Sequence, residues 1–291
     1  MKLYDNRAWL LLVPAAVVMA FVGLVPLITV LNFSFHDIFS LDQIHWVGLE
    51  WYQDILTSDD FRASLGRSLL FSTVVLMVQI PLGIGIALLL VRAGRMGVLV
   101  LMLVATPLVV PWNMIPIMWL NLIDPDTGLL GRALIWLGID FDYKFTALHT
   151  WILLVAMDTW HWIGLVVILS YAALSGIPQA YYQAAAIDSA SRLAIFRHIE
   201  LPRIAGALSI VFLLRFVDSF MIYTEAFSIN AGGPDGATTF LSLDLGEDIK
   251  GFSYGTAAAR SMIYFLIVLS VVWAFVTVSE ARKSAHDRAT Q

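Results

Sequence analysis

Residues 175–202, SGIPQAYYQAAAIDSASRLAIFRHIELP, decide how the chain is read. The stretch carries Gln183, Asp188, Arg192, Arg197, His198 and Glu200, yet it stands between two runs apolar enough to live in lipid. A segment this polar lies outside the hydrocarbon, where its groups can be hydrated. Gly176 and Pro178 stop the helix before it, and Leu201-Pro202 open the helix after it. Tyr182, Ala185, Ala186 and Ser189 recur at offsets of three and four, which predicts a short helix with a small-residue face that another protein could approach closely. Leu193, Phe196 and Ile199 predict a second short helix with basic residues on its other face. The expected unit is a helix-turn-helix foot, with Asp188 capping the turn that begins at Ser189.

Working outward, the 291 residues are 59% hydrophobic and only 13% charged, with a mean hydropathy of +0.82. A soluble domain carries about 25% charged residues, so the bilayer is this chain's solvent. The absence of cysteine excludes a disulfide framework and a thiolate metal site. Six apolar stretches, at about 8–31, 68–91, 98–120, 148–169, 205–227 and 257–278, each approach the ~20 residues needed to cross a ~30 Å core. The first is too long for the apolar core of a signal peptide and is read as a retained span. The third holds Pro107, Pro111 and Pro116, so it must be bent or broken, which makes it a pathway candidate. Between spans, 32–67 and 121–146 are acidic loops, the former with Trp46, Trp51 and Tyr52 as interface anchors.

An even number of spans puts both termini on one side. Ten Lys and Arg residues (Lys2, Arg7, Arg92, Arg95, Arg192, Arg197, Arg203, Arg282, Lys283, Arg288) fall on that side, and six (Arg62, Arg67, Arg132, Lys144, Lys250, Arg260) fall opposite on longer loops. The positive-inside rule therefore predicts that the termini and the foot are cytoplasmic.

Tyr182-Gln183-Ala184-Ala185, Ile187-Asp188-Ser189-Ala190, Phe196, Ile199 and Leu201-Pro202 together resemble the cytoplasmic loop of permease subunits in bacterial ATP-binding-cassette importers, whose pattern is EAA, a glycine, then I-x-LP. Gln183 stands where that pattern has glutamate, and Ser189, suited to a turn whose φ stays negative, stands where it has glycine. The resemblance implies an all-α membrane protein of the type I ABC importer fold, with six transmembrane helices and both termini inside. It implies that the loop is a coupling helix seated in a groove of an ATPase subunit, through Tyr181, Tyr182, Gln183, Ala184, Ala185, Asp188, Ser189, Ala190, Phe196, Leu201 and Pro202.

The resemblance runs from about Arg67 to the end of the sixth span. Asn230-Ala231-Gly232-Gly233-Pro234, Thr238-Thr239 and Tyr254-Gly255-Thr256-Ala257-Ala258-Ala259 look like the branch that includes maltose and glycerol-phosphate permeases, and RFVDSFMIYTE at 215–225 looks like a set proposed to import glycerol or related polyols. The implied protein is a multi-pass, non-catalytic translocation subunit of the bacterial inner membrane. Its implied partners are a second permease subunit in a heterodimer, two cytoplasmic ATP-binding subunits and a periplasmic solute-binding protein. No cofactor is expected on this chain. With no G-x-x-x-x-G-K-[ST] loop, ATP and Mg belong to the partner ATPase subunits. The division that follows is 1–67 as first helix and periplasmic loop, 68–280 as the core with its coupling loop at 175–202, and 281–291 as a cytoplasmic tail.

Ionisable groups inside spans cost at least ~2.5–3.5 kcal/mol each and so face a cavity or a partner. The candidate solute path comprises Asn113, Trp119, Asp158, His161, Trp162, Arg215, Asp218 and Glu225, with Trp112 and Trp160 as further indole faces. Asp158 and His161 are three apart, Arg215 and Asp218 likewise, and Glu225 lies two turns beyond Asp218. Two readings stand at this point. Either the carboxylates accept hydrogen bonds from solute hydroxyls, or Arg215 with Asp218 and Asp158 with His161 neutralise each other, leaving Glu225 solvated near the outer boundary. A secondary transporter or channel with Asp158, His161 and Arg215 as proton relay is the alternative function, and a noncatalytic assembly factor is a third. No motif indicates a hydrolase or a nucleic-acid partner.

Overall fold

The computed structural model describes residues 12–40 and 43–289. Lys2, Arg7 and the expected start of the first span lie outside the described residues, as do the last two residues of the tail. The described helices include five long and apolar enough to cross a membrane, Val13–Phe33, Asp59–Arg92, Ala147–Ser175, Arg192–Asn230 and Tyr254–Ser279, and a sixth if the bent pair Met96–Val109 and Met114–Ile123 is one span. The chain divides by compactness at 63 and 243, into Ala63–Leu243 and the remainder, whereas the three-part reading above followed sequence order.

In the unit Ala63–Leu243, helix α3 (Asp59–Arg92) provides one wall. It starts nine residues before the apolar run because Ser58, extended at ψ 134°, precedes Asp59 and Asp60, two carboxylates that suit the positive end of a helix. Helix α4 (Gly94–Ala105) tightens into a 3-10 turn at Thr106–Val109, and α5 (Met114–Ile123) leaves at 107° to it. The three prolines explain the break. Pro107 sits in the 3-10 turn, Pro111 between the helices, and Pro116 in the first turn of α5, where a backbone donor has no partner to lose.

A loop held by Asp124 follows, its Oδ1 accepting from the Thr127 amide and hydroxyl, both at 2.8 Å; these bonds keep that carboxyl below its usual range. Helix α6 (Leu129–Trp136) then leads to α7 (Ala147–Ser175). α7 packs close on α3 and α4 because glycines allow it: a Cβ on Gly83 would stand 2.5 Å from Val166 Cγ1, and one on Gly164 would stand 2.7 Å from the Val104 carbonyl oxygen. Among the described residues, two hydrophobic clusters pack the unit. One is built on Phe71, Ile115, Leu154, Met157 and Phe240, the other on Ile84, Ala87, Val167, Leu174 and Ile204.

The other unit holds α1 (Val13–Phe33), of whose residues none is buried in the chain, as suits a helix solvated by lipid. After it the stretch read as a loop forms a hairpin, β1 (His36–Ser40) antiparallel to β2 (Gln43–Trp46), and then helix α2 (Glu50–Thr57). The aromatic residues read as interface anchors build this piece: Phe35 stacks on Trp46 at 5.5 Å, Trp51 Nε1 donates to the His36 carbonyl, and the Tyr52 and Ser34 hydroxyls meet at 2.6 Å. Helix α12 (Leu241–Lys250) is followed by α13 (Tyr254–Ala289), which approaches β1 at Gly255, where a Cβ would stand 2.0 Å from the His36 carbonyl oxygen.

Candidate functional site

The foot is built differently from its sequence pattern. Helix α8 (Gln179–Ile187) ends with the Ser189 amide bonded to the Ala186 carbonyl at 3.1 Å and the Ala190 amide to the Ala185 carbonyl at 2.9 Å. That pair is a Schellman closure, which requires a left-handed residue at Ser189, and its φ is +51°. The expectation of a negative φ is thus corrected. The position where the importer pattern has glycine is a helix end that a Cβ strains. Ser189→Gly should relieve about 1 kcal/mol and raise the unfolding midpoint of the detergent-purified protein by a few degrees.

The cap of the second arm is also corrected. Ser191, not Asp188, starts α9 (Arg192–Ile195), its hydroxyl accepting from the Ala194 amide at 3.3 Å. Nor is the second arm a separate helix: a π turn at Phe196–Glu200 carries it directly into α10 (Leu201–Phe220). The two arms are clamped together. Arg192 meets the buried Glu200 at 2.6 Å, Tyr182 donates to Glu200 at 3.4 Å, and the Arg203 guanidinium lies 3.7 Å from the Tyr181 ring centre. Burial, with the charge of Glu200, pushes the Tyr182 phenol above its ordinary pKa.

This clamp decides which face is outward. Ala185, taken from its spacing as part of a docking face, is buried within the chain, and Tyr182, Phe196 and Ile199 pack on the core. Gln183, Ala184, Ala186, Asp188 and Ser189 are exposed, as are Leu201 and Pro202, while Ala190 is half-buried. Ile187 is 84% exposed and Leu193, expected on the same face as Phe196, is 73% exposed, so the tip of the foot is apolar.

The second cluster lies where α3, α7 and α10 meet. Arg215 is wholly buried and donates to Asp158 on α7 at 2.5 Å, to Asp218 on its own helix at 2.5 Å, and through Nε to the Gln79 Oε1 on α3 at 2.9 Å. Gln79 Nε2 in turn donates to Asp158 at 2.7 Å, closing the ring. The Arg215 guanidinium also lies 4.6 Å from the centre of a Trp162 ring. Arg215 with Asp218 is therefore paired as one reading held. Asp158 with His161 is not: His161 accepts from the Trp112 indole at 3.1 Å.

A cavity of about 120 Å³ opens beside this ring, lined among others by Trp112, Asp158, Trp162, Asp218, Tyr223 and Glu225. α10 ends at Phe220 and α11 (Thr224–Asn230) begins after a break, so Glu225 does not continue the Asp218 face; it turns back into the cavity and is 9% exposed, rather than solvated. Trp119 lies elsewhere, edge-on to Trp160 at 6.1 Å in the core, and Asn113 is exposed. The cavity joins indole faces to carboxylate oxygens, a combination that can hold C–H groups on one side and hydroxyls on the other.

Residues 79–288 match the family model described as "Binding-protein-dependent transport system inner membrane component". The chain belongs to that family. This permease is accordingly a multi-pass inner-membrane transport component. It is 29% identical over 278 residues to the trehalose/maltose transport system permease protein MalF of Thermococcus litoralis, covering 94% of each chain. It is 29% identical to the diacetylchitobiose uptake system permease protein DasB of Streptomyces coelicolor over 90% of this chain and 83% of that one. To the sn-glycerol-3-phosphate permease UgpA of Yersinia pseudotuberculosis it is 28% identical over 78% of each. The permease also shares its fold with a chain of a bacterial ABC transporter involved in the import of the acidic polysaccharide alginate, at TM-score 0.81 and 21% identity over 95% and 96% of the two chains. The type I importer architecture expected from the foot is the one observed.

Proposed function

We propose that this permease carries an uncharged carbohydrate or polyol inward by alternating access, driven by two cytoplasmic ATP-binding subunits that dock on the foot. A second permease subunit completes the pathway, a periplasmic binding protein delivers the solute, and ATP with Mg stays on the partner ATPases. Both termini and the foot face the cytoplasm in this reading, as the Lys and Arg distribution favours. The supporting observation is the cavity: two indoles and three carboxylates, with no lysine or arginine among its described lining residues. An anionic solute would find no cation to spare there, since Arg215 is engaged by Asp158 and Asp218. The relatives named for trehalose/maltose and for diacetylchitobiose agree with an uncharged solute, whereas UgpA is named for the anion sn-glycerol-3-phosphate, so the lining of the cavity carries the choice. The run at 215–225 leans toward glycerol or a related polyol. A proton relay through Asp158, His161 and Arg215 is disfavoured because Arg215 is locked between two carboxylates and His161 is bonded to Trp112.

The test combines a binding screen of the cognate periplasmic protein against sugars and polyols with uptake by variants. Glu225→Gln should lower uptake of the solute so identified about tenfold, the value of one charge-assisted hydrogen bond, while complex assembly and basal ATP hydrolysis stay intact. Unchanged uptake in Glu225→Gln and Trp162→Ala would remove this cavity from the solute path.

A further inference from the structure

Three hollows in the unit Ala63–Leu243 adjoin along α3, each sharing lining residues with the next. The first, about 910 Å³, is walled by apolar side chains of α3, α4 and α7, and it shares Leu82 and Ile86 with the second. That second trough, about 500 Å³, is lined by Pro81, Leu82, Gly85, Ile86, Leu88 and Leu89, and it ends on Arg92 and Arg192. The same two arginines, with Leu88, line a third hollow of about 250 Å³ whose further polar walls are Gln179, Tyr182 and Glu200.

Apolar trough, guanidinium pair and hydrogen-bonding recess follow one another in the order of acyl chain, phosphate and headgroup. Arg192 is paired with Glu200 at 2.6 Å, so two guanidiniums against one carboxylate leave a single net positive charge, with Arg92 exposed at the end of α3. From Pro81 to Leu89 the helix rises about 12 Å, most of the ~15 Å depth of one leaflet. The geometry points to an anionic phospholipid seated along α3, its chain in the trough, its phosphate between Arg92 and Arg192, and a headgroup hydroxyl on Gln179 or Tyr182. Such a lipid would tie the end of a span to the second arm of the foot, because Arg92 belongs to α3 and Arg192 opens α9. An apolar helix of another subunit could fill the trough but would leave no anion for Arg92.

The full chain, purified in detergent with the subunits it brings, can be titrated in native mass spectrometry with phosphatidylglycerol and with phosphatidylcholine of the same acyl chains. Phosphatidylglycerol should bind about fivefold more tightly, the value of one arginine at a charged lipid surface. Arg92→Gln should abolish that preference and Arg92→Lys should keep it. Gly85→Trp should exclude both lipids; a Cβ at Gly85 meets no atom within 4 Å, so the bulk enters the trough without displacing the fold. Millimolar inorganic phosphate should not compete. Equal binding of the two lipids, an unaffected Arg92→Gln, or displacement by inorganic phosphate would overturn the assignment. So would efficient cross-linking of Gly85→Cys, a unique thiol in this cysteine-free chain, to a second subunit. The readout is lipid mass, not uptake, so it stands or falls separately from the choice of solute.

Discussion

Arg215→Met should destabilise the purified permease by about 3–5 kcal/mol and lower its unfolding midpoint by roughly 10 °C. The magnitude follows from what the substitution strands. Arg215 is wholly buried and Asp158 nearly so, with side-chain exposures of 0% and 4%, and its removal leaves Asp158 with Gln79 alone. An unpaired carboxylate at that depth has neither water nor a counter-ion, which is the expensive outcome of breaking a buried pair. Asp158→Asn should cost much less, because an amide oxygen can still accept from Arg215 while Asp218 supplies the charge. Asp218→Asn should cost least, since that side chain is 27% exposed and its pairing is screened. Thermal unfolding followed by tryptophan emission orders the three, and an Arg215→Met protein as stable as the parent would show that the ring does not hold α3, α7 and α10 together.

Much of the architecture was legible because membrane spans are long and their signal accumulates over ~20 residues. The proline-rich third stretch was readable for a different reason: three missing donors cannot be hidden in one straight helix, and the observed 107° bend places each where no donor is needed. Gln79 was not legible. A neutral amide inside an apolar run carries no charge signal, and only the fold shows that it bridges Arg215 and Asp158. Glu225 was misplaced because the spacing from Asp218 assumes one continuous helix, whereas the backbone breaks between Phe220 and Thr224. The hairpin at 36–46 was missed because two strands of five and four residues give too short an alternation to stand out from a polar loop.

The foot shows the same limit in its most consequential form, since periodicity identifies residues that share a face but not which face turns inward. Small residues at Ala185 and Ala186 suggested an outward docking stripe, yet the clamp of Arg192 and Tyr182 on Glu200 turns Ala185 into the chain. Ala185→Trp would therefore break the foot's own packing and lose the ATPase for a reason unrelated to docking. Ile187 is the informative position. It is 84% exposed in the last turn of α8, near the exposed polar residues Gln183 and Asp188, and Leu193 offers a second exposed apolar side chain beyond the turn. An exposed apolar anchor ringed by polar residues is where interface energy concentrates, at about 2 kcal/mol or more, roughly 30-fold in affinity. Ile187→Asp should accordingly release the ATPase subunits from affinity-purified permease and abolish coupled uptake, while the unfolding midpoint of the isolated permease stays within a degree or two of the parent. Ala185→Trp should lose both. Full ATPase retention in Ile187→Asp would sink the claim that this apolar tip is what the ATPase grips.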